Sequence, residues 1–443
     1  MLAPTDLQIT TLGNCRFESP LKLSTIERDG LGDFVRDDLR VDFDIEARAG
    51  HSPPAEPLSF EKAGPRQRLF FQPSQTSIAI VTCGGLCPGI NNVIRSIYLE
   101  ATQNYGVKSV LGIRHGFLGL NPVSDLRPVE ISSQLVEEIH KLGGTVLGTS
   151  RGPQDATIIV DFLQQQGIDI LLCVGGDGTQ RGAHSIFAEI AGRDMPISVI
   201  GIPKTIDNDI AYVDRTFGYL TALEEAQQVL RGAHVEARAA IHGVALVKLM
   251  GRHAGFIAAG AALASQEADL VLVPEVQFPL QGNDGFLATL QRLIVERQHA
   301  VVVVAEGAGQ HLIPGQQQGC DASGNVKHHD IGVFLRDKIL DYFAEREMAI
   351  RLKYIDPSYM IRSVPANCAD RLLCDQLARH AVHAGMAGKT NAMIGLRHNK
   401  FIHVPIEAAT TQTKCLQVEG DRWTSVLLST GQPRWPSRAA HHS

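Results

Sequence analysis

The stretch Ile168-Asp169-Ile170-Leu171-Leu172-Cys173-Val174-Gly175-Gly176-Asp177-Gly178-Thr179 decides the fold. Its first part is a short apolar run that stops abruptly at two glycines, and the residues that follow, 179–191, carry apolar positions at helical spacing. An apolar strand, a glycine turn and a helix form the repeating unit of a parallel α/β sheet.

The same texture extends in both directions. Short runs rich in β-branched residues recur at 78–81, 107–113, 197–202, 244–249, 270–273 and 301–304, each closed by Gly, Pro or a polar loop. Helical periodicity fills the gaps at 91–104, 132–142, 220–238 and 331–348. In open parallel sheets, ligands collect outside the carboxyl ends of the strands. Polar and glycine-rich clusters stand at five such places, after Val81, Val174, Ile202, Leu249 and Val304.

Bulk properties set limits around this pattern. A chain of 443 residues with 44% hydrophobic content can bury a large core in two or three domains. A formal net charge of −6 argues against a nucleic-acid partner or a broad membrane-binding surface, so any anion site must be built locally. The apolar run at 256–264 falls well short of the roughly 20 residues a membrane helix needs. The opening MLAPTDLQIT has no basic segment leading into an apolar one, and a cytoplasmic location is expected. Eight cysteines without a paired metal-binding spacing read as reduced and structural.

Four clusters can carry chemistry. Thr82-Cys83-Gly84-Gly85-Leu86-Cys87-Pro88-Gly89 is a strand-to-helix turn where bare backbone lets a polyphosphate approach, although such turns are also common as plain connections. Gly175-Gly176-Asp177-Gly178-Thr179 joins a backbone cradle to a hard oxygen ligand, as a magnesium–nucleotide complex requires; the alternative is Asp177 as a helix cap. Lys204-Thr205-Ile206-Asp207-Asn208-Asp209 packs a cation, a hydroxyl and two carboxylates together. Phosphoryl transfer needs charge neutralisation and a base for the acceptor hydroxyl, which Lys204 and either Asp207 or Asp209 can supply. Lys248-Leu249-Met250-Gly251-Arg252, Glu306 and Tyr359-Met360-Ile361-Arg362 add the guanidinium groups that bind phosphate bidentately.

Taken in order, GGxxPGxN, GGDGT, PKTIDND, KLMGR, AEGAGQ and YMIR make the chain resemble the phosphofructokinase family from about Leu12 to Thr411. The resemblance implies two Rossmann-like three-layer domains with parallel-rich sheets, an active site in the cleft between them, and an N-terminal extension over residues 1–74. It implies a nucleotide-binding domain at 75–220 completed by about 360–405, and a sugar-phosphate domain at 221–359 completed by about 406–443. It also implies nucleotide-phosphate contacts at Gly85, Arg151, Gly152, Gly176, Asp177, Gly178 and Thr179, with Asp177 holding Mg2+. Asp207 becomes the acceptor of the sugar 1-hydroxyl proton, helped by Lys204 and Thr205. The fructose 6-phosphate contacts become Thr205, Ile206, Asp207, Met250, Gly251, Arg252, Glu306, Tyr359, Met360, Ile361 and Arg362, with Lys353 as a further phosphate contact.

Within the family, pyrophosphate enzymes typically carry Asp where this chain has Gly178, and Lys where it has Lys204; many bacterial ATP enzymes have Gly at both. The mixture found here resembles the plant-like ATP-dependent subgroup, so ATP is the expected donor and a pyrophosphate-dependent phosphotransferase the alternative. Lipid and NAD kinases share GGDGT but lack the later motifs, and a catalytically dead sensor is disfavoured by intact Asp177, Thr205, Asp207, Arg252 and Arg362. No Arg stands in 240–243, where bacterial relatives place a cross-subunit phosphate contact, and Lys248 is the expected substitute. Phe117 is the candidate for stacking on adenine. A homodimer or homotetramer is expected from the resemblance.

Overall fold

The structure is a computed structural model, and it describes residues 3–26, 29–46, 57–315, 319 and 327–437. Parts of the expected extension (1–2, 27–28 and 47–56) and the last six residues of the expected sugar-phosphate domain lie outside the described residues. The chain divides into two compact units. One comprises Met1–Thr205, Ile210–Gly218 and Ser363–Gln412, and the other Ile206–Asp209, Tyr219–Arg362 and Thr413–Ser443.

In the first unit a nine-stranded sheet runs in the order Arg40–Asp42, Ser59–Lys62, Lys400–Pro405, Ala392–Arg397, Ser198–Pro203, Ile170–Gly175, Ser77–Thr82, Ser109–Ile113, Val129–Glu130. The five strands from Ala392–Arg397 to Ser109–Ile113 are parallel, and the strands beyond them pair antiparallel. Leu172 sits between Ile80 and Ile200, and the three central strands are buried along their whole length, as their unbroken apolar runs require. Strand alternation sends Ala79, Val81, Leu171, Cys173 and Val199 into one core with Ile159, Leu163, Ile186 and Ile190 of the helices Ala156–Gln165 and Asp177–Gly192. Ile170, on the opposite face, touches Gly385 of the Cys368–Met386 helix.

The N-terminal extension is docked on this unit rather than trailing from it. Leu7 is buried, and Glu61 pairs in register with His403 while its carboxylate meets Arg66 at 2.9 Å, Lys389 at 2.9 Å and His403 Nδ1 at 3.0 Å. Burial would raise the Glu61 pKa, but His403 and Lys389 outweigh it and hold the carboxyl at about 2.

The second unit has a wholly parallel four-stranded sheet, ordered Leu270–Leu272, His299–Ala305, Gly243–Leu249, Arg351–Ile355. One face packs Ala245, Val247, Leu249, Val301 and Val303 against the helices Tyr219–Ala239 and Phe256–Ser265. The other packs Val244, Leu246, Val302 and Val304 against Phe286–Arg297 and Ile331–Ala344. The α/β class and the parallel-rich sheets expected from the sequence are what the structure shows.

Helix ends depart from the periodicity, for local reasons. The helix expected over 132–142 is a single turn, Ser133–Val136, followed by a 3-10 turn, Ile139–Lys141; the Val136 carbonyl is taken by Arg95 Nε at 3.1 Å instead of continuing the helical ladder. The helix read over 331–348 stops at Ala344, where Glu347 turns left-handed (φ 54°) and Met348 donates back to Phe343. The helix at 91–104 ends at Leu99 and passes into a π-helical segment, Glu100–Tyr105, in which Glu100 is held by Arg379.

Candidate functional site

In the first unit, three loops leave the carboxyl ends of adjacent parallel strands, and hydrogen bonds stitch them to one another and to the segment 148–152. Cys83 N–H donates to Val174 O at 2.9 Å, Gly84 N–H to Ser150 O at 3.0 Å, and Lys204 N–H to Gly175 O at 3.0 Å. The Thr149 hydroxyl donates to Gly84 O at 2.7 Å, and the Thr82 hydroxyl to Gly148 O at 2.8 Å. Gly84 has φ +85°, a left-handed conformation that a side chain rarely adopts.

Lys204 is buried and reaches across from its own strand to donate to Gly85 O at 2.7 Å. A Cβ on Gly84 would stand 3.6 Å from Lys204 Nζ, one on Gly85 3.3 Å from Arg151 Nη2, and one on Gly176 3.3 Å from Lys204 O. Two cationic side chains thus converge on side-chain-free backbone, the construction that suits an oligophosphate. Gly176 caps the Asp177–Gly192 helix, and Asp177, half-buried, is its first residue, so a carboxylate stands in that helix's first turn. Gly178, next in the helix, is exposed, and Thr179 is buried against Gly175. Gly152 follows Arg151 at φ +107°. The Thr205 carbonyl accepts from the Thr216 hydroxyl at 2.7 Å. Gly85, Arg151, Gly176, Asp177, Gly178, Thr179 and Lys204 all belong to this one set of loops.

Whether a divalent metal fits is tested by the donor set. Among the described residues, no three His, Cys, Asp or Glu side chains gather as a metal cage. Mg2+ is bound through one or two carboxylates plus phosphate oxygens and water, so Asp177 beside a phosphate cradle fits such an ion.

In the second unit, the Gly243–Leu249 and His299–Ala305 strands end level with each other, and their loops are joined by Glu306 N–H to Leu249 O at 2.9 Å and Gly307 N–H to Gly251 O at 3.1 Å. Gly251 (φ +128°) and Gly307 are obligatory: a Cβ on Gly307 would lie 1.9 Å from Arg252 O. Asp207 Oδ2 accepts from Arg252 N–H at 3.4 Å, and Oδ1 is shielded from solvent. Burial, then the negative charges of Asp209 and Glu306, push the Asp207 carboxyl well above its ordinary range, against the pull of the Arg252 amide and guanidinium. Glu306 is likewise raised by burial, with Arg252, Lys248 and Arg362 opposing. Arg252 Nε lies 3.9 Å from Glu306 Oε1, and Arg362 covers the exposed Tyr359 ring at 4.5 Å. Asp207, Arg252 and Glu306 are therefore one cluster, and Arg362 lies within its electrostatic reach.

The other residues expected from the sequence lie in varied surroundings. Phe117 is buried in the first unit's core, with its ring 2.6 Å from where a Gly182 Cβ would be. Lys248 is held by Asp330 and Asp356 at 2.9 Å each, which spends its charge inside the chain. Lys353 is exposed in mid-strand opposite Ala245, four residues short of Leu249 at the strand end, and the register does not bring it to the Arg252 loop. Ile361 and Met250 are buried in the second unit's core and the partly buried Ile206 packs against it; Met360 is exposed.

The sequence reading passed over Thr149, Thr216 and Glu275. Glu275 accepts from Gly255 N–H at 3.0 Å and Leu416 N–H at 2.7 Å, tying the C-terminal segment to the loop after Arg252. Nothing in its sequence neighbourhood marks it, because its partners are remote backbone amides. Gln180 was also passed over, although it directly follows Gly175–Thr179.

The family model described as Phosphofructokinase matches residues 77–385. The chain is 43% identical over 434 residues to the ATP-dependent 6-phosphofructokinase of Borreliella burgdorferi, covering 97% of each chain. It is 48% identical over 373 residues to the ATP-dependent 6-phosphofructokinase of Trypanosoma brucei brucei, covering 84% of this chain and 76% of the relative. Among solved structures, the pyrophosphate-dependent phosphofructokinase of Marinobacter aquaeolei superposes with a TM-score of 0.66 at 18% identity, over 82% of this chain and 93% of that one, a likeness of fold.

Proposed function

The chain belongs to the phosphofructokinase family, and from that premise we propose that it is an ATP-dependent 6-phosphofructokinase. It moves the γ-phosphoryl group of ATP to the 1-hydroxyl of D-fructose 6-phosphate, giving fructose 1,6-bisphosphate and ADP in glycolysis. The observation that carries this reading is the likeness to curated ATP-dependent enzymes along nearly the whole chain. Gly178 supports it: the exposed second residue of the Asp177–Gly192 helix bears no side chain to crowd a donor longer than pyrophosphate.

The backbone of Gly85 and Gly176 to Thr179, with Arg151 and Gly152, binds the nucleotide phosphates, and Lys204 neutralises charge beside the transferring group. Asp177 would hold Mg2+, which when bound supplies further neutralisation of the phosphate oxygens. Asp207 takes the proton of the sugar 1-hydroxyl. Burial among Asp209 and Glu306 raises its affinity for that proton, and the Arg252 amide fixes Oδ2. Arg252 and Arg362 bind the 6-phosphate, with Thr205, Ile206, Met250, Gly251, Glu306, Tyr359, Met360 and Ile361 around the sugar. The same reading makes the enzyme cytoplasmic and a homodimer or homotetramer.

Purified protein assayed with fructose 6-phosphate and either ATP or pyrophosphate tests the donor. Turnover with ATP and none with pyrophosphate is expected, and the reverse would sink the reading.

A further inference from the structure

Gln180 is completely buried, although its side chain is a polar amide. It lies in the first turn of the Asp177–Gly192 helix, where its backbone N–H donates to Gly176 O at 3.0 Å. Its side chain folds back beneath the glycine loop: Nε2 donates to Gly175 O at 2.9 Å and approaches Ile202 O at 3.5 Å. The Gly175 carbonyl, at the end of its strand, therefore accepts from both Lys204 N–H and Gln180 Nε2.

Oε1 of the same amide finds no hydrogen-bond partner, an expensive arrangement for a buried acceptor. It presses instead on Gly201 of the neighbouring strand, where a Cβ would stand only 2.0 Å from Oε1. Gly201 is thus glycine to admit an amide, and the amide fills the space between the ends of two strands. One strand ends in the phosphate cradle and the other in Lys204.

We propose that Gln180 is a positioning residue for the donor: wedged against Gly201 and hydrogen-bonded to Gly175, it fixes the spacing between the Gly175–Thr179 cradle and Lys204. It touches no substrate and acts through the Gly175 carbonyl. The proposal rests on the ATP-dependent reading above.

The test is steady-state kinetics on the full-length enzyme, with melting temperature measured in parallel. Gln180→Met keeps the volume and removes the amide. It should raise KM for ATP about three- to tenfold, the worth of one hydrogen bond, while KM for fructose 6-phosphate stays within about twofold and the melting temperature holds. Gly201→Ala should raise KM for ATP by about tenfold or more, and adding Gln180→Ala should leave it no higher than the loss of the amide alone, about three- to tenfold above wild type, since the second change removes the atoms the new methyl strikes. Should Gly201→Ala not fold, Gln180→Met decides alone. Unchanged KM for ATP in Gln180→Met, equal shifts in both KM values, or strictly additive effects in the double variant would each overturn the proposal. A wild-type enzyme inactive with ATP would instead refute the function, which the donor assay detects separately.

Discussion

The loops at the strand ends of the two units are built from different materials, and under the proposed function they meet different needs. In the first unit the loops around Gly84, Gly175 and Lys204 are held by backbone hydrogen bonds, and their contact surface is bare main chain flanked by Lys204 and Arg151. In the second unit the loops around Asp207, Arg252 and Glu306 present charged side chains, two of them carboxyls whose proton affinity is raised by burial. A phosphate chain is much the same in every nucleotide and can be held by repeated N–H dipoles. A single hydroxyl that must lose its proton requires one side chain of tuned basicity.

This contrast breaks most sharply at Asp207. Asp207→Ser removes the base and should lower kcat by about 10²–10⁴, the range attributable to a positioned general base, as measured by coupled assay. Because the native carboxyl pKa lies above its unfolded value, ionising it opposes folding at neutral pH. The variant should therefore melt no lower than the wild type. A lower melting point with intact kcat would make Asp207 structural.

Gly307→Ala comes next. The new methyl meets the rigid Arg252 carbonyl 1.9 Å away, so the loop must shift at a cost of ~1–3 kcal/mol. KM for fructose 6-phosphate should rise about 5- to 150-fold with KM for ATP little changed. Equal movement of both constants would erase the distinction between the two sets of loops.

Glu306→Gln is the finest probe. Glu306 is one of the negative charges that raise the Asp207 pKa, and removing it should let Asp207 ionise at lower pH. The acidic limb of kcat/KM should move down by a fraction of a pH unit up to about one, since one unit corresponds to about 1.4 kcal/mol of charge interaction. A limb that stays in place would show that burial and Asp209 set the base without Glu306.

The sheet cores were legible because β-branched runs end at glycines, and the loops at those ends hold most of the residues singled out from sequence. The return of residues 392–405 as a hairpin was not read, although His398 and Asn399 are both left-handed (φ 49° and 57°), and Asn at such a tight turn is a usable signal. The single turn at Ser133–Val136 could not be foreseen, because the Arg95 side chain that intercepts its carbonyl comes from another helix. The surroundings of Phe117 and Lys248, a packed core for one and two carboxylates for the other, were not legible for a shared reason: composition names a group's capability, whereas packing and ion pairing come from residues remote in sequence.

The antiparallel Ser59–Lys62 strand has a consequence for the whole molecule. It covers the outer side of Lys400–Pro405, and Arg40–Asp42 covers Ser59–Lys62 in turn. A chain trimmed to begin after residue 62 would keep every loop discussed above, yet would offer the mostly buried Lys400–Pro405 strand as an open template for pairing with other molecules. What residues 40–62 supply to this sheet is the pairing that keeps its edge closed.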